Sequence, residues 1–210
     1  MERIILFGPP GAGKGTVSEL LSNYDFFHIS PGDIFRKELD EETDLGKELN
    51  KYMSKGELVP DKLVDKVIFN YVEKYKDKKL DFDGFPRTVK QLKELEKRYP
   101  IDKVLVLEVN DETIIERLSK RRVCPNCGRT YHLITKKPKN EGICDNCGHK
   151  LIHRKDDKPE TIQNRLDQYN ENTIPVLKEY KKLGKEIITI DAEKSIEEVL
   201  NQVKIKLNLD

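Results

Sequence analysis

Hydrophobic positions along this chain fall in short unbroken runs, separated by longer stretches of helical period. Arg3–Phe7 (RIILF) is apolar at consecutive positions and ends in glycine, which predicts a buried strand. A helix is expected from about Gly13 to Tyr24, then a short strand at Phe26–Ser30. Asp33–Leu39 and Leu45–Ser54 read as short helices. Asp61–Tyr75 reads as a longer one, with Asp61 as its N-cap. Leu80–Asp83 predicts a third strand and Val89–Tyr99 a helix. Lys103–Val109 is the fourth and most apolar strand, and Asn110 caps a helix reaching Arg121.

Beyond Val123 the periodicity gives way to short, turn-rich sequence as far as Asp157. Helix resumes at DKPE, where Asp157 and Glu160 have capping-box spacing. Pro175 is predicted to kink or interrupt that helix. Glu186–Ile190 is the fifth strand, and SIEE (Ser195–Glu198) opens the last helix with another capping box. Strands alternating with helices specify an α/β fold, a five-stranded parallel sheet covered on both faces. Residues 30–59 and 122–157 stand outside the alternation and read as insertions into a core of 1–29, 60–121 and 158–210. Ligands of such sheets bind at the strands' carboxyl ends, so the insertions would border the site.

Composition narrows the function. The 210 residues suit one domain with insertions. Charged residues make up 37% of the chain, against about 25% on average. The signs nearly cancel at a net +1, which argues against a general nucleic-acid binder. Abundant Lys and Glu without Trp fits a thermophile or AT-rich codon usage equally well. No apolar run approaches the roughly 20 residues of a membrane span. The first strand begins almost at the N-terminus, leaving no room for a signal peptide, so a cytoplasmic location is expected.

Chemistry enters at GPPGAGKGT, residues 8–16. The pattern G-x-x-x-x-G-K-[ST] cradles phosphates, and Gly8, Gly13 and Lys14 fit it. Gly15 takes the place of the magnesium-binding hydroxyl, and Thr16 comes one residue late. Gly11, Gly13 and Gly15 let backbone N–H groups approach an anion, the following helix adds its dipole, and Lys14 reaches the outer phosphates. In FDGFPRT (Phe82–Thr88), Asp83 ends a strand where P-loop proteins place a magnesium aspartate.

The cysteines carry a second signal. Cys124 and Cys127 form one C-x2-C pair and Cys144 and Cys147 another, separated by sixteen residues. This spacing predicts one tetrahedral metal site, with Gly128 and Gly148 permitting the knuckle turns. Four thiolates leave no open position, so the site is structural; zinc and iron both remain candidates. A zinc ribbon also raises a nucleic-acid module as a rival. The ribbon's single aromatic, Tyr131, and its position between core elements weigh against it.

GPPGAGKGT, HISPGDIFR, GELVPDKLV, DGFPRT, the paired arginines before the cysteines, and RKDDKPETIQNRL occur in one order. Together they resemble adenylate kinases with the long, metal-bearing lid, over essentially the whole chain. The resemblance implies a P-loop nucleoside monophosphate kinase fold, with 30–59 as the AMP-binding flap and 122–157 as the lid. It implies ATP + AMP ⇌ 2 ADP with Mg²⁺, a monomer, and no nucleic-acid or membrane partner. Its phosphate loop also reads G-K-G-T; magnesium is held by nucleotide phosphates and water, with Asp83 and Asp33 orienting those waters.

By the same resemblance Gly11, Ala12, Gly13, Lys14, Gly15 and Thr16 bind ATP phosphates. Arg117, Thr130, Tyr131 and the backbone near Lys194 meet the rest of ATP. Arg36 and Arg87 bind the AMP phosphate. Glu57, Leu58, Val59 and Gly84, Phe85, Pro86 line the AMP site, and Gln91 faces its adenine. Arg121, Arg154 and Arg165 bracket the transferring phosphoryl group. One departure is Pro31, where the family has Thr: a hydroxyl and an N–H are lost, and with them a direct AMP contact. His28 is expected to be structural. A pyrimidine-specific relative would have a short lid; a guanine donor stays open, because the donor base is read largely by backbone.

Overall fold

Ile4 and Leu6 of the first strand pack into one apolar cluster, and Ile5 and Phe7 into another on the opposite face. That two-residue alternation is why Ile4–Phe7 has no polar position: both faces are buried. The computed structural model describes residues 1–209. Its strands are β1 (Arg3–Phe7), β2 (Phe26–Ile29), β3 (Lys79–Asp83), β4 (Lys103–Glu108), β5 (Arg121–Val123), β6 (Thr130–His132) and β7 (Glu186–Asp191). The main sheet runs β2-β3-β1-β4-β7, all parallel, so β1 is central. β5 and β6 form a separate antiparallel pair.

The helices are α1 (Lys14–Leu21), α2 (Pro31–Asp40), α3 (Asp44–Met53), α4 (Asp61–Tyr75), α5 (Val89–Arg98), α6 (Asp111–Lys120), α7 (Pro159–Gln168), α8 (Ile174–Lys182) and α9 (Ile196–Leu207). One face of the sheet is covered by α1 and α9 through Val17, Leu21, Val203 and Leu207. The other is covered by α4, α5 and α8, through Ile68, Val72, Leu92, Leu95, Val176 and Tyr180. Each fully buried side chain of this kind contributes about 1.5–3 kcal/mol. The segment between α6 and α7 has its own small core of Cys124, Tyr131, Cys144 and Leu151.

Helix starts agree with the expected caps at Asn110, whose side chain accepts from Thr113 N, and at Ser195, which forms a capping box with Glu198. Two expected caps are corrected. Asp61 is the first residue inside α4, after Pro60, and its carboxylate reaches across to Thr88 and Gln91. Asp157 caps nothing: α7 starts after Lys158 without a side-chain cap, and the buried Asp157 is gripped by Arg121 and Arg165. For Asp157 two guanidinium donors outcompete a helix-end N–H. Asp61 lies one residue too far along the helix to cap it, and its carboxylate is taken by the Thr88 hydroxyl and the Gln91 amide. The first helix ends at Leu21, with a 3₁₀ turn over Ser22–Tyr24. The interruption expected at Pro175 is one π-helical turn, Tyr169–Thr173, so the proline falls in the first turn of α8, where no N–H is needed.

Candidate active site

β1 ends at Phe7, and the chain turns through Gly8–Gly13 into α1 at the carboxyl edge of the sheet. Gly11 and Gly13 have φ of 82° and 99°, conformations that side chains rarely adopt. A Cβ on Gly8 would lie 2.9 Å from the Leu107 carbonyl, so the loop is pressed onto β4. No side chain caps α1, which leaves its first N–H groups for an anion. Lys14 Nζ donates to the carbonyls of Gly8 and Pro9, both at 2.8 Å. Burial lowers its ammonium to about 8; Asp83 opposes that shift, while Arg87, Arg165 and Arg121 add to it. An anion brought among these cations would reverse their mutual repulsion.

A cleft of about 1510 Å³ opens above this loop. It is lined by Gly11 to Thr16, by Asp83 at the tip of β3, and by Arg36, Arg87, Arg117, Arg121, Arg154 and Arg165. These arginines come from α2, the β3–α5 loop, α6, the two ends of the cysteine segment, and α7. Burial and neighbouring arginines lower Arg87 to about 10 and push Arg154 well below its ordinary value. Arg154 Nε is buried without a hydrogen-bond partner among the described residues. Buried carboxylates hold part of this charge. Arg121 Nε donates to Asp157 at 2.8 Å, and Arg165 Nη1 donates to the same carboxylate at 2.8 Å. Burial alone would raise Asp156, but Arg165, Arg36 and Arg154 hold it far below the usual carboxylate range.

Asp33 and Asp83 differ. Both line the cleft, but Asp33 is engaged by Arg36, by His28 Nε2 at 3.4 Å and by Arg154 at 3.8 Å. Asp83 belongs to no ion pair among the described residues, and it faces Lys14's field, so it suits the outer coordination of a cation carried by phosphates. His28 Nδ1 lies 2.8 Å from the fully buried Asp81, which also accepts from Ser18. Its burial is outweighed by Asp33 and Asp81, and the imidazolium is raised to about 10. The ring thus ties α2 to the core, as expected of a structural histidine.

A smaller hollow of about 80 Å³ adjoins the cleft. Glu57, Leu58 and Val59, with Gly84, Arg87 and Gln91, contribute to it, as do Arg36 and Pro31. Phe85 and Pro86 line the larger cleft instead. On the opposite side, Arg117 Nη2 donates to Ala192 O at 2.7 Å, which fixes the turn carrying Lys194 at the cleft wall.

The cysteine segment folds over the phosphate loop. A Cβ at Gly15 would meet Thr130 Oγ1 at 3.6 Å, so Thr130 sits directly above the loop. Tyr131 borders the cleft, but its ring is buried in the segment's own core. Its hydroxyl accepts from Asp145 N at 2.7 Å and lies 3.4 Å from Cys144 Sγ. The four cysteine sulfurs all lie within 4.8 Å of one another. A tetrahedral zinc–thiolate centre, with bonds of about 2.3 Å, needs sulfurs about 3.8 Å apart, so the donor set fits one ion. The His149 backbone N–H and the Asn126 side chain draw Cys147 down to about 5, while burial pushes Cys124 up to about 12.

Sequence reasoning missed Asp156, Asp157, Asp61 and Glu19. Asp156 and Asp157 were visible as a carboxylate pair two residues after Arg154. Asp61 signalled only a helix start and Glu19 nothing, since their partners are 27 to 117 residues away.

A phosphate loop on the central strand of a parallel sheet, facing arginines drawn from two insertions, makes this a nucleotide phosphotransferase of the nucleoside monophosphate kinase class. Residues 6–185 match the family model for adenylate kinase. A protein named adenylate kinase from Thermoanaerobacter sp. (strain X514) is 46% identical over 209 residues, 96% of each chain. Another from Caldicellulosiruptor bescii is 45% identical over 215 residues, 97% of this chain and all of the relative. A third, from Clostridium tetani, is 45% identical over 208 residues, 95% of each. The chain belongs to the adenylate kinase family, and its reaction is ATP + AMP ⇌ 2 ADP. Adenylate kinases use Mg²⁺ with ATP. No described helix is long and apolar enough to cross a membrane.

Proposed function

We propose that ATP lies along Gly11–Thr16 beneath the cysteine segment while AMP occupies the smaller hollow, so that the two phosphate chains meet among the arginines. What carries this reading is the convergence of Lys14, Arg36, Arg87, Arg121, Arg154 and Arg165 on one cleft. An AMP phosphate oxygen attacks the γ-phosphorus in line as the bond to the bridging oxygen of the leaving ADP breaks. The nucleophile is already an anion, so no general base is needed. The residues supply charge neutralisation and alignment. Lys14 follows the donor phosphates, Arg36 and Arg87 anchor AMP, and Arg121, Arg154 and Arg165 bracket the transferring group. Arg117, Thr130, Tyr131 and the backbone at Lys194 bound the adenosine side of ATP. Magnesium brought with ATP would supply neutralisation of phosphate charge there, and Asp83, with Asp33, would hold its waters.

Residues 30–59 act as an AMP-binding flap and 122–157 as a lid over a core of the remaining segments. Cys124, Cys127, Cys144 and Cys147 hold one structural ion, taken as Zn²⁺, with iron the alternative. The protein works as a cytoplasmic monomer that balances adenine nucleotides, with no nucleic-acid or membrane partner. Assaying ATP, GTP, CTP and UTP against AMP, CMP, UMP and GMP tests the assignment. Highest turnover with ATP and AMP is expected; faster turnover with CMP or UMP would sink it.

A further inference from the structure

We infer that Asp61 sets acceptor-base specificity by fixing which way round the Gln91 amide faces. The inference rests on the reading that the smaller hollow receives the AMP base. Gln91 is almost fully buried and contributes to that hollow. A glutamine amide has two N–H donors on one side and two lone pairs on the other, in nearly the same shape. Unconstrained, it offers either order of donor and acceptor to a ligand. Here Gln91 Oε1 accepts from Arg87 N at 2.7 Å, and Nε2 donates to Asp61 Oδ1 at 2.8 Å. Neither neighbour can exchange roles: a peptide N–H only donates, and a carboxylate only accepts. Thr88 strengthens the arrangement, donating to Asp61 Oδ1 at 3.1 Å while accepting from Gln91 N at 3.2 Å.

Half of the amide's capacity is thereby spent within the protein. One lone pair and one N–H remain, in fixed order. Adenine presents a 6-amino donor beside the N1 acceptor, and the remaining pair complements it. A 6-oxopurine presents the reverse, an O6 acceptor beside an N1–H donor, and would leave the buried amide mismatched. Sites whose buried polar groups are left unpaired discriminate strongly. Asp61 is therefore a positioning residue: it acts through Gln91. Its carboxylate makes the flipped amide costly, because Oε1 would then face a negative charge.

The test compares kcat/KM for AMP and for IMP, at saturating ATP, in the intact protein and in Asp61→Asn, Asp61→Ala and Asp61→Glu. Asparagine is the same size and can donate or accept, so it removes Asp61's share of the orientation preference without removing the contact, and leaves the Arg87 N–H alone to hold the amide. The AMP-over-IMP ratio should fall about tenfold or more in the Asn and Ala variants, the scale of one charge-assisted hydrogen bond. KM for ATP should stay within twofold. Glutamate, still acceptor-only, should keep the ratio near that of the intact protein even if KM for AMP rises. A purely structural role for Asp61 would lower stability and rate for both acceptors alike. An unchanged ratio in Asp61→Asn, with the intact protein preferring AMP, overturns the inference. If the intact protein itself fails to phosphorylate AMP, the assignment of the hollow falls instead.

Discussion

The Glu19 carboxylate on α1 and the Arg129 guanidinium in the lid lie 2.7 Å apart, and Lys136 of the lid reaches Glu19's other oxygen at 2.5 Å. One acidic side chain next to the phosphate loop thus receives two lid cations. These groups are partly exposed, and such pairs contribute about 0.2–1 kcal/mol each. Glu19→Gln should raise KM for ATP about two- to fivefold, leave KM for AMP unchanged and not lower kcat. The shift should shrink with added salt, because the intact pair is itself screened. Initial rates at low and high ionic strength check this.

Lys14 and Arg87 should fail differently. On the proposed placement of ATP, Lys14 follows the phosphates through the reaction, so Lys14→Met should lower kcat about 10²-fold or more. Arg87→Ala should also raise KM for AMP, because that side chain borders both the cleft and the hollow. Steady-state kinetics with each nucleotide varied separates the two. An unaltered KM for AMP in Arg87→Ala would mean the acceptor site is misplaced.

His28 should make stability sensitive to alkali. Its folded value, about 10, exceeds its ordinary 6.5 because Asp33 and Asp81 outweigh burial. A raised value means the folded state binds the proton more tightly. The contribution is complete below about 6.5 and is lost as pH rises toward 10. Lys14, lowered to about 8, contributes with the opposite sign over the same range in both proteins. Without nucleotide or magnesium, the thermal midpoint of the intact protein should therefore fall more, or rise less, between pH 7 and 10 than that of His28→Gln. Equal slopes in the two proteins would remove His28 from the account.

Elemental analysis should find one ion per chain, and titration with a mercurial should release it as four thiols react. The small core of the lid, Cys124, Tyr131, Cys144 and Leu151, cannot offset the segment's conformational entropy without it. Cys147→Ser should lower the thermal midpoint while the circular dichroism of the sheet and its helices persists. Some activity should survive metal removal at low temperature. Loss of all chemistry with folding and nucleotide affinity intact would make the ion catalytic.

Legibility in the sequence followed the range of the interactions. Every strand of the main sheet was readable, because RIILF and KVLVLEV record burial on both faces locally. The phosphate loop and the cysteine pairs were readable for the same reason: their spacing is their geometry. Strand order was not, since it depends on crossovers that no single segment encodes. Asp61 and Asp157 were misread because a carboxylate near a helix start looks like a cap. Only the fold brings Gln91 to one, and Arg121 and Arg165 to the other. The lid strands β5 and β6 escaped because each is three residues long.

Arg121 is the residue where α6 ends and the lid begins, and Arg154 stands where the chain leaves the lid for α7. Each doorpost of the lid therefore carries a cation. Both face the cleft, and Arg121 also grips Asp157, so one ion pair pins the two ends of the segment together beside the phosphate loop. A charge set at a pivot keeps its distance from the phosphates whatever the rest of the segment does. The posts would then hold their stations through every turnover, while only the roof between them came and went.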